Sequence, residues 1–352
     1  MRHPDAAANF KTALLSSVSA VALLVANPAL VSAADIGRPQ ILTKAPAPVH
    51  DSWTWWVEGG AARLEGDPGV AGLTNFDVDA KRWGWEGAIG LDYRSSITGW
   101  IFSGQFRYGR NGSASAGSNP SAVFLGGNFG TTPISVTGTN SASRKEQHWV
   151  ADFMVGRDLG LGSGMSVAKF GVRVAELRGR TNGSAQWNQF GTPTNCIPTP
   201  ASIVAYCASE RRDYVQENKF IGIGPRAELN GQVPLLERWS LVYGVGVAGL
   251  FGQRKADQTA TISQIAPTAI PTPSCVSGCP NLNVSSSNNG FVFNTDAMLG
   301  IAFAIGPNAQ LMINYRFDGY WNALRGFDSN GNVTNLDRFY HGPMVRLTVR
   351  TP

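Results

Sequence analysis

Charge is scarce in this chain. Asp, Glu, Lys and Arg make up 15% of its 352 residues, against about 25% in soluble domains. The 29 basic and 24 acidic side chains leave a small positive excess, well short of the basic footprint that nucleic-acid binding requires. Histidine is rarer, with four residues, and only His50, His148 and His341 lie outside the N-terminal segment. None has a nucleophile motif such as G-x-S-x-G beside it, so no catalytic residue is assigned and no enzyme is expected. Phosphate-cradling glycine loops and metal-ligand spacings are missing too, and no cofactor or metal is expected. Long apolar runs are also absent. Beyond residue 33 the most apolar stretch, 241–251, holds eleven residues and three of them are glycine. A membrane helix needs about twenty apolar residues, whereas a tilted membrane strand needs only about ten.

What is present begins with an export signal. Arg2 and Lys11 precede a mostly apolar run over 13–26, and small residues surround a cleavage site near Val31-Ser32-Ala33. Residues 1–33 are therefore expected to be removed as a signal peptide, leaving 27 basic and 23 acidic side chains once Arg2, Lys11 and Asp5 are gone. The Pro/Ala-rich segment 34–52 reads as a periplasmic linker, and 53–352 as one domain. Four cysteines remain, Cys196, Cys207, Cys275 and Cys279. In an oxidising compartment disulfides are the default. Four cysteines allow three connectivities, of which Cys196–Cys207 with Cys275–Cys279 needs no long-range assumption. No histidine lies near either pair to suggest zinc.

After the linker the sequence alternates with period two. Trp83, Trp85, Ile89, Leu91 and Tyr93 share one face, while Glu86, Asp92 and Arg94 share the other. The same alternation predicts strands at 53–65, 83–94, 99–110, 148–158, 166–180, 215–231, 239–254, 291–305, 309–321 and 339–350. The links at 95–98, 159–165, 232–238 and 306–308 are short. Those at 66–82, 111–147, 181–214, 255–290 and 322–338 are long and rich in Gly, Ser, Thr, Asn and Pro. Tight periplasmic turns alternating with large surface loops are what a membrane barrel produces. Trp83, Trp85, Trp100, Trp149, Trp239 and Trp321 fall near strand ends, at headgroup depth. The fold expected is an all-β, transmembrane, antiparallel up-and-down barrel of the Gram-negative outer membrane. Ten strands are the first count; a hairpin within 111–147 would make twelve.

Two glycine–proline pieces interrupt strands: FIGIGPRAEL at 220–229 and YHGPMVRL at 340–347. A proline removes a ladder donor, so Pro225 and Pro343 are expected at bulges. With the opening SWTWWVEGGA at 52–61, these pieces resemble the Legionella-type major outer membrane protein family of pore-forming barrels. The KAPAP segment at 44–48 is similar to the linker of small alphaproteobacterial surface-antigen barrels. Barrels of this kind usually end on an aromatic residue, where this chain reads Arg350-Thr351-Pro352.

With the apolar face outward, the lumen face carries Glu58, Glu86, Asp92, Asp152, Asp158, Glu228, Asp296 and Asp318. It also carries Arg94, Arg107, Lys169, Arg173, Arg226, Arg316, Arg346 and Arg350. Twelve of these are expected to line a pore: Glu86, Asp92, Arg94, Arg107, Asp152, Arg173, Arg226, Glu228, Asp296, Arg316, Asp318 and Arg346. Hairpin counting opposes Glu86 to Arg107, brings Asp152 near Arg173 and sets Asp296 diagonal to Arg316. Physics alone leaves an open pore and a barrel plugged by a salt-bridge lattice equally balanced. The family resemblance implies the pore, passing small solutes with weak ion selectivity; the plugged barrel, a surface scaffold, is the alternative, and a hydrolase the third reading. Outer-membrane lipid and the barrel-assembly machinery are expected partners. Arg110, Arg178, Arg180, Arg211, Arg212 and Arg254, near the outer rim, suggest lipopolysaccharide as another.

Overall fold

In a computed structural model of the chain, residues 51–66, 83–118, 135–160, 165–190, 209–265, 282–327 and 332–351 are described. The signal segment, all but the last two residues of the linker and the four cysteines lie outside them. The ten strands are β1 (Ser52–Glu65), β2 (Trp83–Arg94), β3 (Trp100–Ser118), β4 (Ser135–Asp158) and β5 (Met165–Phe190). They continue with β6 (Ser209–Pro234), β7 (Trp239–Ile265), β8 (Leu282–Ala304), β9 (Ala309–Phe327) and β10 (Val333–Thr351). Each pairs antiparallel with its neighbours in sequence, and β1 pairs with β10 to close the barrel. Closure is forced by the solvent: hydrocarbon offers no partner to a backbone amide, so an edge strand cannot face it.

The period-two pattern fixes which face is which. Trp55, Val57, Phe102, Phe106, Phe153, Phe170, Ile223, Leu299, Ile313 and Val345 all point outward and are exposed, whereas Glu58, Asp152, Arg173 and Arg226 point inward and are buried. A closed sheet that turns its large apolar side chains outward and its charges inward is built for lipid, and the molecule is a β-barrel of the outer-membrane type. Aromatic pairs ring the outer wall at two heights. Trp53–Tyr93 (4.7 Å) and Trp239–Phe303 (4.8 Å) lie near the turns. Trp85–Tyr108 (5.5 Å), Phe251–Phe291 (5.1 Å) and Phe293–Trp321 (5.6 Å) lie toward the loops. Along β2, Tyr93 pairs with Trp53 and Trp83 pairs with Arg63. Ten residues at ~3.3 Å, tilted by roughly 40°, span the ~25 Å of an outer-membrane apolar band.

The strands run further toward the loops than their alternation suggests. The β4–β5 ladder continues unbroken from Asp158↔Val167 to Ser135↔Phe190. Segments expected as loop therefore stand as a sheet beyond the lipid, where water on the outer wall removes the selection for alternating apolar residues. The two prolines are also placed differently than expected. Registers run straight through Val172↔Pro225 and Pro343↔Tyr315. The register shifts occur instead between Asn111 and Ala114 and between Leu336 and Arg338. A strand residue turns its N–H toward only one neighbour, so each proline interrupts the ladder on that side, between Ile223↔Phe251 and Arg226↔Ala248 and between Gly60↔Met344 and Arg63↔His341, and leaves the register intact. The preceding glycine is what the site requires: a Cβ on Gly224 would collide with the Gly249 carbonyl, and one on Gly342 with that of Ala61.

This topology places the short turns on the periplasmic side and the long ladders outside. Thiols introduced by Ser96→Cys, in the β2–β3 turn, and by Lys145→Cys, on the β4 extension, test it with a membrane-impermeant maleimide on intact cells. Position 145 should label and position 96 should stay protected until the outer membrane is permeabilised. The reverse pattern would invert the barrel.

Candidate functional site

The lumen face brings its charges together in a belt at mid-barrel. Arg173 on β5 donates from Nε and Nη2 to both oxygens of Asp152 on β4, each at 2.7 Å. Its Nη1 reaches Asn294 at 2.5 Å and Asp296 at 3.0 Å, both on β8. Arg226 on β6 grips the same Asp296 with two nitrogens, and its Nε stands 3.5 Å from Asp152. Two arginines and two aspartates thus alternate around a square that joins four strands. Asn294 passes the network on, donating to Asp318 of β9 at 2.8 Å. Arg107 on β3 donates to the other oxygen of Asp318 at 2.7 Å and lies 3.2 Å from Glu86 on β2. Glu58 on β1 accepts from Arg316 of β9 at 2.5 Å and from Arg346 of β10 at 2.8 Å.

The geometry crosses the lumen rather than following the wall. β3 and β9, joined by Arg107 and Asp318, are four strands apart around the ring, as are β5 and β9, whose Arg173 and Asp318 lie 4.0 Å apart. Nine strands contribute a charged side chain, and β7 contributes space. Gly246 pairs with both Glu228 and Asp296, and a Cβ there would press on Arg226 and Asp296 at 2.8 Å. The side chains that cross the lumen are buried, from Glu58, Glu86, Arg107 and Asp152 round to Arg226, Asp296, Asp318 and Met344, with Arg173 at 0% exposure, while Glu228 and Arg346 are part-buried toward the turns. The cross-section is filled.

A second layer seals the barrel on the loop side. Leu64, Leu177, Phe220, Leu250, Val292, Tyr320, Leu324 and Tyr340 pack into one apolar cluster inside the lumen. His148 lies at its edge, its ring centroid 3.9 Å from that of Tyr340 and its Nε2 3.2 Å from Glu86. Above it Arg338 of β10 reaches Glu146 of β4 at 3.0 Å. On the turn side the lumen stays open as a cavity of about 210 Å³, lined by Trp56, Asp92, Arg94, Met154, Lys169 and Met312, among others. There Lys169 pairs with Asp92 at 2.7 Å, Arg94 with Asp158 at 3.0 Å, and Arg346 lies 4.0 Å over the Trp56 ring.

Ten of the twelve residues predicted to line the lumen meet in the belt, and Asp92 and Arg94 line the cavity below it. Asp152 and Arg173 are directly opposed and bonded. Glu86 does not oppose Arg107: it pairs with Gly109, and Arg107 with Ala88. The β2–β3 turn takes in Gly99, whose φ of 69° belongs to the left-handed region, and the register moves by two. An even slip keeps the face, so the pair still meets diagonally. Asp296 is diagonal to Arg316 as expected, yet the belt gives each other partners, because an arginine arm is long enough to cross a narrow barrel. Sequence reasoning missed Asn294 and the inner apolar layer. Consecutive apolar pairs such as Phe220-Ile221, Leu250-Phe251 and Val292-Phe293 carry that signal, one side chain for each face.

No protein-family model matches the chain, and no curated protein does. Among solved structures it is similar to the outer membrane protease OmpT from Escherichia coli, at 11% identity over 88% of this chain and 99% of that one, with a TM-score of 0.35. It is similar to a major outer membrane protein from Thermus thermophilus, at 14% identity over 86% and 99%, with a TM-score of 0.25. The attachment invasion locus protein Ail of Yersinia pestis follows at 10% identity over 86% and 100%, with a TM-score of 0.23. The likeness is one of fold class only.

Removing one partner of a buried ion pair costs about 3–5 kcal/mol, whereas a half-exposed pair is worth about 0–1 kcal/mol. Arg173→Met should therefore destabilise the barrel by several kcal/mol and Arg94→Met by under about 1 kcal/mol. Guanidinium unfolding in micelles, followed by tryptophan fluorescence, measures both. Equal losses would show that the belt does not hold the lumen.

Proposed function

We propose that this barrel is a closed scaffold whose extended strands and loops meet partners at the cell surface, and that it does not conduct solutes through its lumen. One observation carries the reading: Arg107 and Arg173 reach across the barrel to strands β9 and β8, and the groups they meet, Glu86, Asp152, Asn294, Asp296 and Asp318, are all buried. The pore implied by the family resemblance needs a continuous water path, which the belt and the apolar layer above it both interrupt. Charge balance inside the barrel then serves mutual neutralisation of buried groups, not weak ion selectivity.

A third reading, hydrolysis, has one geometric observation behind it. On the outer wall Tyr315 Oη lies 2.5 Å from His341 Nδ1, and His341 Nε2 lies 3.4 Å from Glu65. This is the hydroxyl–imidazole–carboxylate order of a nucleophilic relay. A neutral phenol is a weak nucleophile, however, and we assign the trio to holding the β9–β10–β1 wall together.

In a planar bilayer the wild-type protein should give no stepwise conductance, and opening both seals together, Arg107→Ala and Arg173→Ala with Phe220→Ala and Tyr340→Ala, should create it. Steady wild-type steps would overturn the scaffold reading and restore the pore. In that case Arg107→Ala alone should shift selectivity toward cations. His341→Ala should leave lipid acyl composition unchanged, and a loss of lipid hydrolysis would make the trio catalytic.

A further inference from the structure

The outer wall just beyond the loop-side aromatic girdle carries a row of cations on one side of the barrel only. Strand registers align Arg110↔Gln147, Gln147↔Arg178, Arg178↔Lys219 and Lys219↔Lys255, so the row follows one line of paired residues from β3 to β7. Adjacent strands are ~4.8 Å apart, giving the row a width of roughly 19 Å. One step further from the membrane, Lys145 pairs with Arg180, Arg180 with Glu217 and Glu217 with Asp257. One step nearer it stand Tyr108, Trp149 and Glu176.

The three carboxylates here do not neutralise the six cations. Glu176 is shared by Arg178 and, at 3.6 Å, Lys219, while Arg180 pairs with Glu217 at 3.2 Å. Asp257 accepts instead from Ser285 at 2.7 Å. Arg110, Lys145 and Lys255 make no ion pair among the described residues. Across the barrel the described outer wall beyond the girdle is neutral or self-paired: Arg63 lies 3.4 Å from Glu65, and β9 offers Trp321. Arg254, counted with the rim arginines from sequence, points into the lumen and donates to the Asn322 carbonyl at 2.9 Å. The side chains of Arg211 and Arg212 lie outside the described set.

We propose that this β3–β7 face binds the phosphate groups of the phosphorylated glycolipid of the outer leaflet, lipopolysaccharide. Two facts favour that occupant. The cations sit directly above the lipid-facing apolar wall of Phe106, Ile221, Ile223 and Phe251, so one molecule can place its acyl chains on the wall and its phosphates on the row. Trp149, whose Nε1 donates to Glu176 at 3.1 Å, marks the height where headgroups begin. Guanidinium and ammonium groups recognise phosphate by charge-assisted hydrogen bonds, arginine in bidentate fashion.

The test compares lipid retention on the full barrel in zwitterionic nanodiscs, read by native mass spectrometry. Diphosphoryl lipid A, its dephosphorylated form and phosphatidylglycerol are the probes. Wild type should retain diphosphoryl lipid A at least about tenfold better than either of the others. The triple change Arg110→Gln, Lys145→Gln and Lys255→Gln should abolish that preference. These side chains make no ion pair or side-chain hydrogen bond among the described residues, so the variant should fold, as its heat-modifiable gel mobility will report. Arg63→Gln, on the far wall, should change nothing. Equal retention of dephosphorylated lipid A, or full retention by the triple variant, would overturn the proposal. Equal retention of phosphatidylglycerol would also overturn it and replace the glycolipid with any anionic lipid.

Discussion

A backbone amide inside hydrocarbon has no partner except another strand. Every other feature of this molecule follows from meeting that constraint with ten strands. The sheet must close, so β1 pairs with β10. Closure divides the side chains into two populations with opposite solvents, and the period of two assigns them. A ten-stranded ring leaves a lumen that is narrow, and long side chains from opposite walls then meet. The belt of Arg107, Arg173, Arg226, Asp152, Asp296 and Asp318 is the outcome.

The belt also protects register. A slip of one residue would exchange the faces and carry each arginine into lipid. That costs about 2–4 kcal/mol per arginine near the midplane, and several arginines would cross at once. Stability alone does not explain a charged filling, since well-packed apolar groups of similar volume often serve as well or better than a buried ion pair. The barrel uses both kinds. Its ionic belt lies toward the turns, and an apolar layer centred on Phe220, Leu250, Tyr320 and Tyr340 lies toward the loops. Two chemically unlike seals in series leave the turn-side cavity as the lumen's open part.

How much of this could be read from the sequence depends on which solvent each face meets. Within the lipid, outward Trp85, Phe106 and Ile313 alternate with inward Glu86, Arg107 and Asn314, and the strands were legible. Outside the lipid the outer wall of β4 and β5 meets water instead of hydrocarbon, so stretches such as 135–143 carry no alternation and read as loop. The members of the belt were legible as a lumen set, because a charge on a lipid-facing strand has only one place to go. Their partners were not, because pairing across the lumen depends on arm length and barrel width, quantities that neighbouring-strand arithmetic does not contain. Asp296 shows this. Its diagonal neighbour Arg316 turns to Glu58 two strands further on, while Arg173 and Arg226 converge on Asp296 from β5 and β6.

Water access at mid-barrel separates a filled lumen from an open one. Asn294, fully buried between Arg173 and Asp318, and Thr348, on the cavity wall, can each be replaced by cysteine. A small charged methanethiosulfonate reagent is then added from the turn side. Modification should be rapid at position 348 and absent at position 294 while the barrel stays folded. Comparable rates at the two positions would mean a continuous water path through the belt, and would contradict a filled lumen.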